Sequence, residues 1–328
     1  MNRVFEFFRN HHILAVVEDA LENLSFTLNL SRFQLTEIPD LVHACESIMK
    51  LFLNHNQLTQ LPDYLDSFHR LQILTLDYNH LQQFPTVICN ITTLRELNLS
   101  CNQIDELPPE IGRLRELETF WCNNTGLTKI PDEISKCKRL ETFGARGNQI
   151  ETLPLNFGLL NRLKWLTLEN NQLKSLPQSL IGLKRLVHLN LKSNQITEMP
   201  EFLSSLKKLQ FVFLNFNRIS EVNEEILDKT QFIKMINLND NPVKDSIDIT
   251  KHSHIVVDRP AAQMSASNNS DIDANDDDEN INDSDLSDWE NSIETSDIDT
   301  TDESSEENDI EDISILIPEL SRYITNFN

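Results

Sequence analysis

One position of this sequence recurs every 23 residues, and it is asparagine in eight of its ten occurrences. The ten residues are Phe33, Asn56, Asn79, Asn102, Thr125, Asn148, Asn171, Asn194, Asn217 and Asn241, and only the last interval is 24 residues long. A fixed period of about 20 to 50 residues is typical of a solenoid, in which each repeat contacts only its neighbours. Such an array offers an extended concave surface rather than a catalytic cleft, so the period predicts a binding protein.

The apolar residues of each repeat follow one pattern, which the third repeat shows in full. Its residues are Leu71, Leu74, Leu76, Asn79, Leu81, Phe84, Pro85, Ile88 and Ile91. The alternation of apolar and polar residues around Leu74 and Leu76 predicts a short strand with one buried face. The asparagine takes the chain out of the strand, where its amide can bond backbone groups that the turn leaves unpaired. Stacked repeats therefore place these amides in a ladder.

A proline follows eight of the predicted strands on the returning side of the repeat, and Asn223 takes its place after the ninth. The equivalent residues are Pro39, Pro62, Pro85, Pro108, Pro131, Pro154, Pro177 and Pro200. Because proline cannot continue a central strand, the chain returns in an extended or short helical form. Parallel strands pack about 4.8 Å apart and the returning segments need more room, so we expect an arc or horseshoe with the strands inside. The predicted fold is an α/β leucine-rich repeat solenoid of about ten repeats.

Four segments are predicted along the chain. Residues 1–26 form an N-terminal capping helix, because apolar residues from Phe5 to Leu24 recur at helical spacing and would cover the first repeat. The repeats occupy residues 27–243, and residues 244–260 form a C-terminal cap or linker. Residues 261–328 form a disordered acidic tail, since Asp, Asn, Ser, Thr and Glu dominate there. A short apolar segment, residues 313–324, interrupts the tail.

The negative charge is concentrated in the tail. The chain carries a net charge of −24, and residues 251–328 contain 22 acidic residues against three basic ones. This field repels nucleic acid and anionic lipid, so we expect no nucleic-acid partner. The apolar run 13–17 is too short to span a membrane. Five scattered cysteines predict reduced core thiols, and the odd count indicates a reducing compartment, the cytoplasm or the nucleus.

The residues that alternate with the buried leucines should face the concave surface, where a partner would bind. Two tryptophans on repeats five and seven are expected to wall a depression with glycines between them, and charged residues lie beside it. The predicted partner-binding residues are Trp121, Asn123, Gly144, Arg146, Trp165 and Glu169, with Phe211 and Phe213 in a second patch. In the alternative interpretation, the tryptophans only shield neighbouring strands and the second patch binds the chain's own tail or cap.

The tail contains three kinds of short motif. Leu286 and Trp289 resemble a short recognition segment, and so does the apolar run that follows the acidic residues before position 313. That run, Ile313, Ile315, Leu316 and Ile317, resembles a SUMO-interacting motif, which adds a strand to its partner's sheet. Four residues have an acidic residue three positions later, the arrangement that an acid-directed kinase recognises. They are Ser287, Ser296, Thr300 and Ser304.

No catalytic or metal-binding pattern emerges from the sequence. The histidine pairs at 11–12 and at 252 and 254 lack metal-ligand spacing, and the six glycines form no phosphate-binding loop. We therefore expect a non-enzymatic protein with no cofactor, no metal and no small-molecule substrate.

The repeats resemble those of the intracellular leucine-rich repeat proteins of the Ras-group and Scribble type. The shared form LPxxIgxLxxL occurs from Leu107 to Leu117, and the resemblance covers about two thirds of the chain. It implies an adaptor or scaffold in intracellular signalling, for small GTPases, phosphatases or polarity complexes. A second resemblance, to acidic leucine-rich nuclear phosphoproteins, implies instead a tail that binds histones or other basic proteins.

Overall fold

A computed structural model of the chain describes residues 3–243 and 251–257. All of these residues belong to the first of two units, Met1–Asn268, and the second unit, Asn269–Asn328, lies outside the described residues.

Eleven parallel strands of the described residues form one open sheet, in which the order along the chain is also the order in space. The strands are β1 (Thr27–Asn29), β2 (Lys50–Phe52), β3 (Ile73–Thr75), β4 (Glu96–Asn98), β5 (Thr119–Trp121), β6 (Thr142–Gly144), β7 (Trp165–Thr167), β8 (His188–Asn190), β9 (Phe211–Phe213), β10 (Met235–Asn237) and β11 (Ile255–Val256). From β1 to β9, equivalent residues of successive repeats pair directly. The predicted leucine-rich repeat solenoid is therefore confirmed.

The returning side of each repeat contains a 3-10 helix that begins directly after the predicted proline. Their bounds are Asp40–Ala44, Asp63–Ser67, Thr86–Asn90, Pro109–Arg113, Asp132–Lys136, Leu155–Leu159, Gln178–Gly182 and Glu201–Ser205. Where Asn223 replaces the proline, an α-helix, α2 (Glu224–Lys229), forms instead, and Asn223 Oδ1 caps it by accepting a 2.9 Å bond from the Glu225 N–H. Among the described returns, the one without the proline is thus an α-helix rather than a 3-10 helix.

The N-terminal helix α1 (Arg3–Glu22) covers the first repeat, as its periodicity predicts. Ile13, Val17 and Ala20 are its buried residues, and the ring of His12 packs 5.4 Å from Phe33 at the first asparagine position. Phe8 differs from the expectation because its side chain is 66% exposed. The buried side chains from Ile13 to Ala20 therefore cover the array end.

The C-terminal end contains a strand that the sequence pattern does not reveal. Residues 255 and 256 form β11, which pairs in parallel with β10 at Ile236 and Asn237. This strand lies within residues 244–260, where we expected a cap or linker. Its two residues are too few to show alternation, and no asparagine position marks the repeat.

The core contains the leucines of the repeat pattern and the residues that replace leucine in some repeats. Phe120 and Phe143 replace leucine and are fully buried, with their ring centroids 5.7 Å apart, while Cys122 and Ala145 fill the next inward positions. Large and small residues thus compensate in volume within neighbouring repeats. Burial raises the pKa of the thiols of Cys89 and Cys137 to about 12, so both remain protonated at neutral pH.

The asparagine ladder connects each repeat to the one before it. Asn79, for example, donates through Nδ2 to the carbonyl oxygens of Leu53 and Leu76, and its Oδ1 accepts a 3.0 Å bond from the Leu58 N–H. Two of these three bonds cross to the preceding repeat. Asn79 is only 4% exposed, so water cannot reach the backbone groups around its amide. The amide therefore supplies the hydrogen bonds that these buried groups need.

Thr125 interrupts this ladder, as its residue type predicts. Its hydroxyl lies 3.2 Å from Cys122 O in its own repeat, and among the described residues its side chain makes no bond to the preceding repeat. Asn148 compensates from the other side. Its Oδ1 lies 2.9 to 3.1 Å from four donors, the N–H groups of residues 125, 126 and 127 and the Thr125 hydroxyl.

We expect Asn148→Ala to destabilise the protein more than the matched change Asn102→Ala. Both asparagines are buried, but Asn102 Oδ1 accepts one bond, from Leu81, whereas removal of Asn148 takes the acceptor from the N–H groups of residues 125, 126 and 127. The expected difference in unfolding free energy is about 1 to 3 kcal/mol. Urea unfolding followed by circular dichroism measures it, and equal midpoints for the two variants would contradict this account.

Candidate protein-binding surface

The outward side chains of the sheet form three rows, which we call the strand face. The first row contains Lys50, Ile73, Glu96, Thr119, Thr142, Trp165, His188, Phe211 and Met235; the second contains Phe52, Thr75, Asn98, Trp121, Gly144, Thr167, Asn190, Phe213 and Asn237. The third row, two residues further along, contains Asn54, Asp77, Ser100, Asn123, Arg146, Glu169, Lys192, Asn215 and Asn239. Trp121 and Trp165 therefore lie in different rows.

The depression expected between the two tryptophans is filled. Gly144 pairs directly with Trp121 in the neighbouring strand, and a Cβ atom at Gly144 would overlap the indole ring of Trp121. Gly144 is buried for this reason. The space above Gly144 is therefore not open to a partner, because the indole ring of Trp121 occupies it. Gly147 has a φ of 67°, and a Cβ atom there would overlap Asn124 Oδ1, so this glycine also serves the fold.

Trp165 belongs instead to an aromatic cluster toward the C-terminal end, which we define as Trp165, His188, Phe211 and Phe213. The rings of Trp165 and His188 stack with centroids 3.9 Å apart and an interplanar angle of 6°, and the His188 ring lies 5.3 Å from that of Phe213. His188 thus joins the two patches that the sequence predicts separately. The alternation of residues along β8 places His188 on this face, but it does not predict the stacking, because stacking depends on side-chain orientation.

Charged side chains border the aromatic cluster in the third row. Glu169 lies between two cations, with Arg146 Nε 3.9 Å and Lys192 Nζ 3.5 Å from its carboxylate oxygens, and it accepts a 2.9 Å bond from Asn190 Nδ2. The three charged side chains, which we call the charged triad, are 12% to 26% exposed. The structure therefore brings the predicted residues Arg146 and Glu169 together and adds Lys192.

Two further predicted residues offer little surface to a partner. Asn123 is 2% exposed, and its Oδ1 accepts a 2.8 Å bond from the Arg146 N–H. This hydrogen bond connects neighbouring repeats. Phe211 is 5% exposed, with Lys234 Nζ 5.8 Å from the centre of its ring. The predicted residues with partly exposed side chains are Trp121, Arg146, Trp165, Glu169 and Phe213.

Burial shifts the pKa values of two ionisable groups of the strand face in the direction that favours their neutral forms. It lowers the pKa of His188 to about 3, so the imidazole is uncharged at neutral pH, and its Nδ1 has no bonding partner among the described residues. Burial also raises the pKa of Asp77 to about 6, although a bond from its own backbone N–H opposes the shift. The face therefore contains a desolvated patch around each of these residues.

The predicted motifs of the tail lie outside the described residues. They are Leu286, Trp289, the apolar run Ile313, Ile315, Leu316 and Ile317, and the four phosphorylation sites Ser287, Ser296, Thr300 and Ser304. Within residues 3–243 and 251–257, no group of histidine, cysteine and acidic side chains has the geometry of a metal site. In the same part of the chain no helix has the length and hydropathy that a membrane span requires.

Two family models match the repeats, and no curated protein does. A leucine-rich repeat region matches residues 51–148, and a single leucine rich repeat matches residues 185–206.

Solved structures of several repeat proteins are similar to this chain. The LRR protein LIC12759 of Leptospira interrogans is 31% identical, with a TM-score of 0.61, over 63% of this chain and 53% of that one. The functional domain of InlJ from Listeria monocytogenes is 21% identical, with a TM-score of 0.60, over 72% and 49%. The ectodomain of the receptor kinase GASSHO1/SCHENGEN3 from Arabidopsis thaliana, in complex with CASPARIAN STRIP INTEGRITY FACTOR 2, is 25% identical, with a TM-score of 0.58, over 67% and 28%. The chain thus spans about half of the first two and less of the third.

We expect Gly144→Ala to displace the Trp121 ring and to lower stability by about 1 to 3 kcal/mol, because the added methyl group overlaps the indole. In the background of Trp121→Ala the same change should cost much less, since the ring is gone. Chemical unfolding of the four proteins gives the coupling energy. Additive effects would show that Trp121 does not pack on Gly144 in solution.

We expect His188→Phe to remove a component of acid sensitivity. The unfolded chain binds a proton at His188 with a pKa near 6.5, but the folded chain does so only near 3, so stability is lost as pH falls below about 6.5. The loss reaches about 1.4 kcal/mol per pH unit. Asp77 opposes it between about pH 4 and 6, since its folded pKa is raised, but equally in both proteins. Stability curves with equal pH slopes would contradict the prediction.

Proposed function

Since this chain is a leucine-rich repeat protein, we propose that it is a non-enzymatic adaptor or scaffold whose strand face binds a protein partner. The partner site consists of the partly exposed rings of Trp165 and Phe213 with the charged triad beside them. The observation that supports this proposal is the stacked Trp165–His188 pair, which presents aromatic area next to charged groups on an outward face. Protein interfaces concentrate their binding energy in anchors of this composition.

The packing of the aromatic cluster favours binding over a purely structural role. His188 buries a ring nitrogen that has no bonding partner within the described residues, which is a cost to the folded state. Leucine or phenylalanine at this position would avoid that cost. Large side chains held by stacking also lose little entropy when a partner binds, so the cluster is preorganised.

The known structures support the mode of binding only in general terms. The GASSHO1/SCHENGEN3 ectodomain was solved in a complex, so a repeat array of this fold can present a surface to a second molecule. We further propose a cytosolic or nuclear protein that acts in signalling, without nucleic acid or a small-molecule substrate. The narrower resemblance to Ras-group and Scribble-type proteins, with small GTPases, phosphatases or polarity complexes as partners, stays a prediction, because the shared residues are core residues.

The alternative function, a nuclear protein whose acidic tail binds histones or other basic proteins, rests on residues 261–328. These lie outside the described residues, and the aromatic cluster plays no part in that function. Partner capture through the tail should be lost in high salt, whereas capture through the aromatic cluster should survive moderate salt.

The test is affinity capture from cells with three forms of the chain. We expect the variant Trp165→Ala/Phe213→Ala to lose at least about tenfold of the captured partner, the effect of removing two hot-spot anchors. The matched control is Leu155→Ala/Leu159→Ala, which removes two apolar side chains that are 75% and 54% exposed on a returning 3-10 helix. Quantitative mass spectrometry measures the captured proteins, and circular dichroism checks the folds. Equal capture by both variants would exclude this site.

A further inference from the structure

Cationic side chains line the edge of the sheet next to the first row of the strand face. The segments directly before β7 to β10, residues 161–164, 184–187, 207–210 and 231–234, contain seven basic residues and no acidic one. These residues, which we call the basic edge, are Arg162, Lys164, Lys184, Arg185, Lys207, Lys208 and Lys234, and all are exposed. The equivalent segments before β2 to β5, residues 46–49, 69–72, 92–95 and 115–118, contain three basic and three acidic residues. The unbalanced positive charge therefore lies in the half that carries the aromatic cluster.

The basic edge lacks the ion pairs that neutralise strand starts nearer the N-terminus, where Arg95 pairs with Glu118 at 3.6 Å. Within residues 3–243 and 251–257, Lys164 is the one residue of the basic edge with a carboxylate partner, Glu141 at 2.8 Å. No carboxylate of the described chain compensates the other cations of this edge. A partner that supplies carboxylates would therefore relieve their mutual repulsion.

The charged triad places two more cations on the opposite side of the aromatic cluster. Arg146 Nε and Lys192 Nζ lie 3.9 and 3.5 Å from the carboxylate oxygens of Glu169, whose side chain is only 12% exposed. Arginine and lysine together offer more N–H donors than one recessed carboxylate can accept. Lys192 Nζ also lies 5.7 Å from the centre of the Phe216 ring, which is 50% exposed. An incoming carboxylate would thus meet two partly desolvated cations beside aromatic surface.

The spacing of the two cationic groups sets the pattern that a ligand must have. The basic edge ends one residue before the first row, where Lys234 Nζ lies 5.8 Å from the centre of the Phe211 ring. The charged triad lies in the third row, four residues further along each strand. At about 3.3 Å per residue the two groups are about 16 Å apart, with the aromatic cluster between them. An extended peptide that lies along the strands covers this distance in about five residues.

A short acidic peptide fits this surface better than a nucleic acid does. Nucleic-acid bases bind by stacking on free aromatic faces, but His188 covers one face of the Trp165 ring, with the two centroids 3.9 Å apart. The Glu169 carboxylate also lies between the two cations that a phosphate would contact. The chain carries a net charge of −24, which repels a long polyanion. A peptide with few carboxylates carries much less charge and needs no free ring face.

We propose that the ligand of the partner site is a short acidic segment of a protein, in which an apolar side chain is flanked on both sides by Asp or Glu. The apolar side chain packs on Trp165 and Phe213. Carboxylates on one side of it contact Arg146 and Lys192, and those on the other side contact the basic edge. This assignment rests on the proposed function, because it names the chemistry of the partner that the same site binds.

The test is selection of random peptides, displayed on phage, by the immobilised full chain, with sequencing of the retained pool. The same library is passed over the Trp165→Ala/Phe213→Ala variant, so that peptides which need the two rings are identified by their loss. Among these peptides we expect Asp and Glu to be enriched at least about threefold over the input library on both sides of an apolar residue. Because the contacts are electrostatic, about 0.5 M salt should reduce this enrichment.

Variants of the charged residues test each side of the apolar residue separately. Lys184→Glu/Lys234→Glu reverses two charges of the basic edge and should abolish the acidic enrichment on one side, whereas Lys192→Gln should weaken it on the other. The matched control, Lys136→Glu/Lys174→Glu, reverses two charges outside the strand face, on side chains that are 59% and 69% exposed. It should select the same peptides as the unchanged chain, and circular dichroism checks all folds.

Three outcomes would overturn the proposal. Peptides that need Trp165 and Phe213 but show no acidic enrichment, or that change equally in the control variant, would exclude an acidic ligand and leave the proposed function standing. A pool that does not depend on the two rings would contradict both. Labelled oligothymidine, measured by fluorescence anisotropy, provides the third arm. If it binds more tightly than the best acidic peptide and is lost in the Trp165→Ala/Phe213→Ala variant, the surface belongs to a nucleic acid instead.

Discussion

The side-chain amide of one asparagine per repeat is the interaction on which the rest of this structure depends. Each described strand is only two or three residues long, so the backbone bonds of a single repeat cannot hold it in place. The amide closes the turn after the strand and bonds two groups of the preceding repeat. Turn and stacking are thus fixed by the same atoms, and the register of the strands follows from them. The three rows of the strand face exist because this register does not slip.

The sequence predicts the array well because its repeats impose the same constraint ten times. The asparagine positions, the prolines and the alternating leucines each identify one part of the repeat, and strands β2 to β10 lie where this pattern places them. β11 could not be predicted, because Ile255 and Val256 form a two-residue strand without an asparagine position or a proline. Asn223 shows the converse: where this residue replaces the proline, the return is the α-helix α2.

The candidate site was predicted only in part, since it depends on side-chain directions within the rows. Alternation places Trp121, Gly144 and Trp165 on the outward face, but it does not show that the Trp121 ring lies on Gly144. Nor does it show that His188 stacks on Trp165. Sequence treats the aromatic residues as two separate patches, whereas packing joins Trp165 to Phe213 through a neutral histidine.

Thr125 has a consequence for how the array responds to force. Between the repeats of Asn102 and Thr125, the asparagine-amide bonds that cross every other boundary from Asn56 to Asn241 are missing among the described residues, although Ser100 Oγ still accepts a 3.1 Å bond from the Asn123 N–H. Bonds from Thr128 to Asp105 and an ion pair between Glu106 and Lys129 replace them nearer the surface. A molecule stretched from its two ends would therefore divide first at this boundary. The repeats on each side of this boundary, including those that carry the aromatic cluster, would stay folded while the contacts between the two groups break.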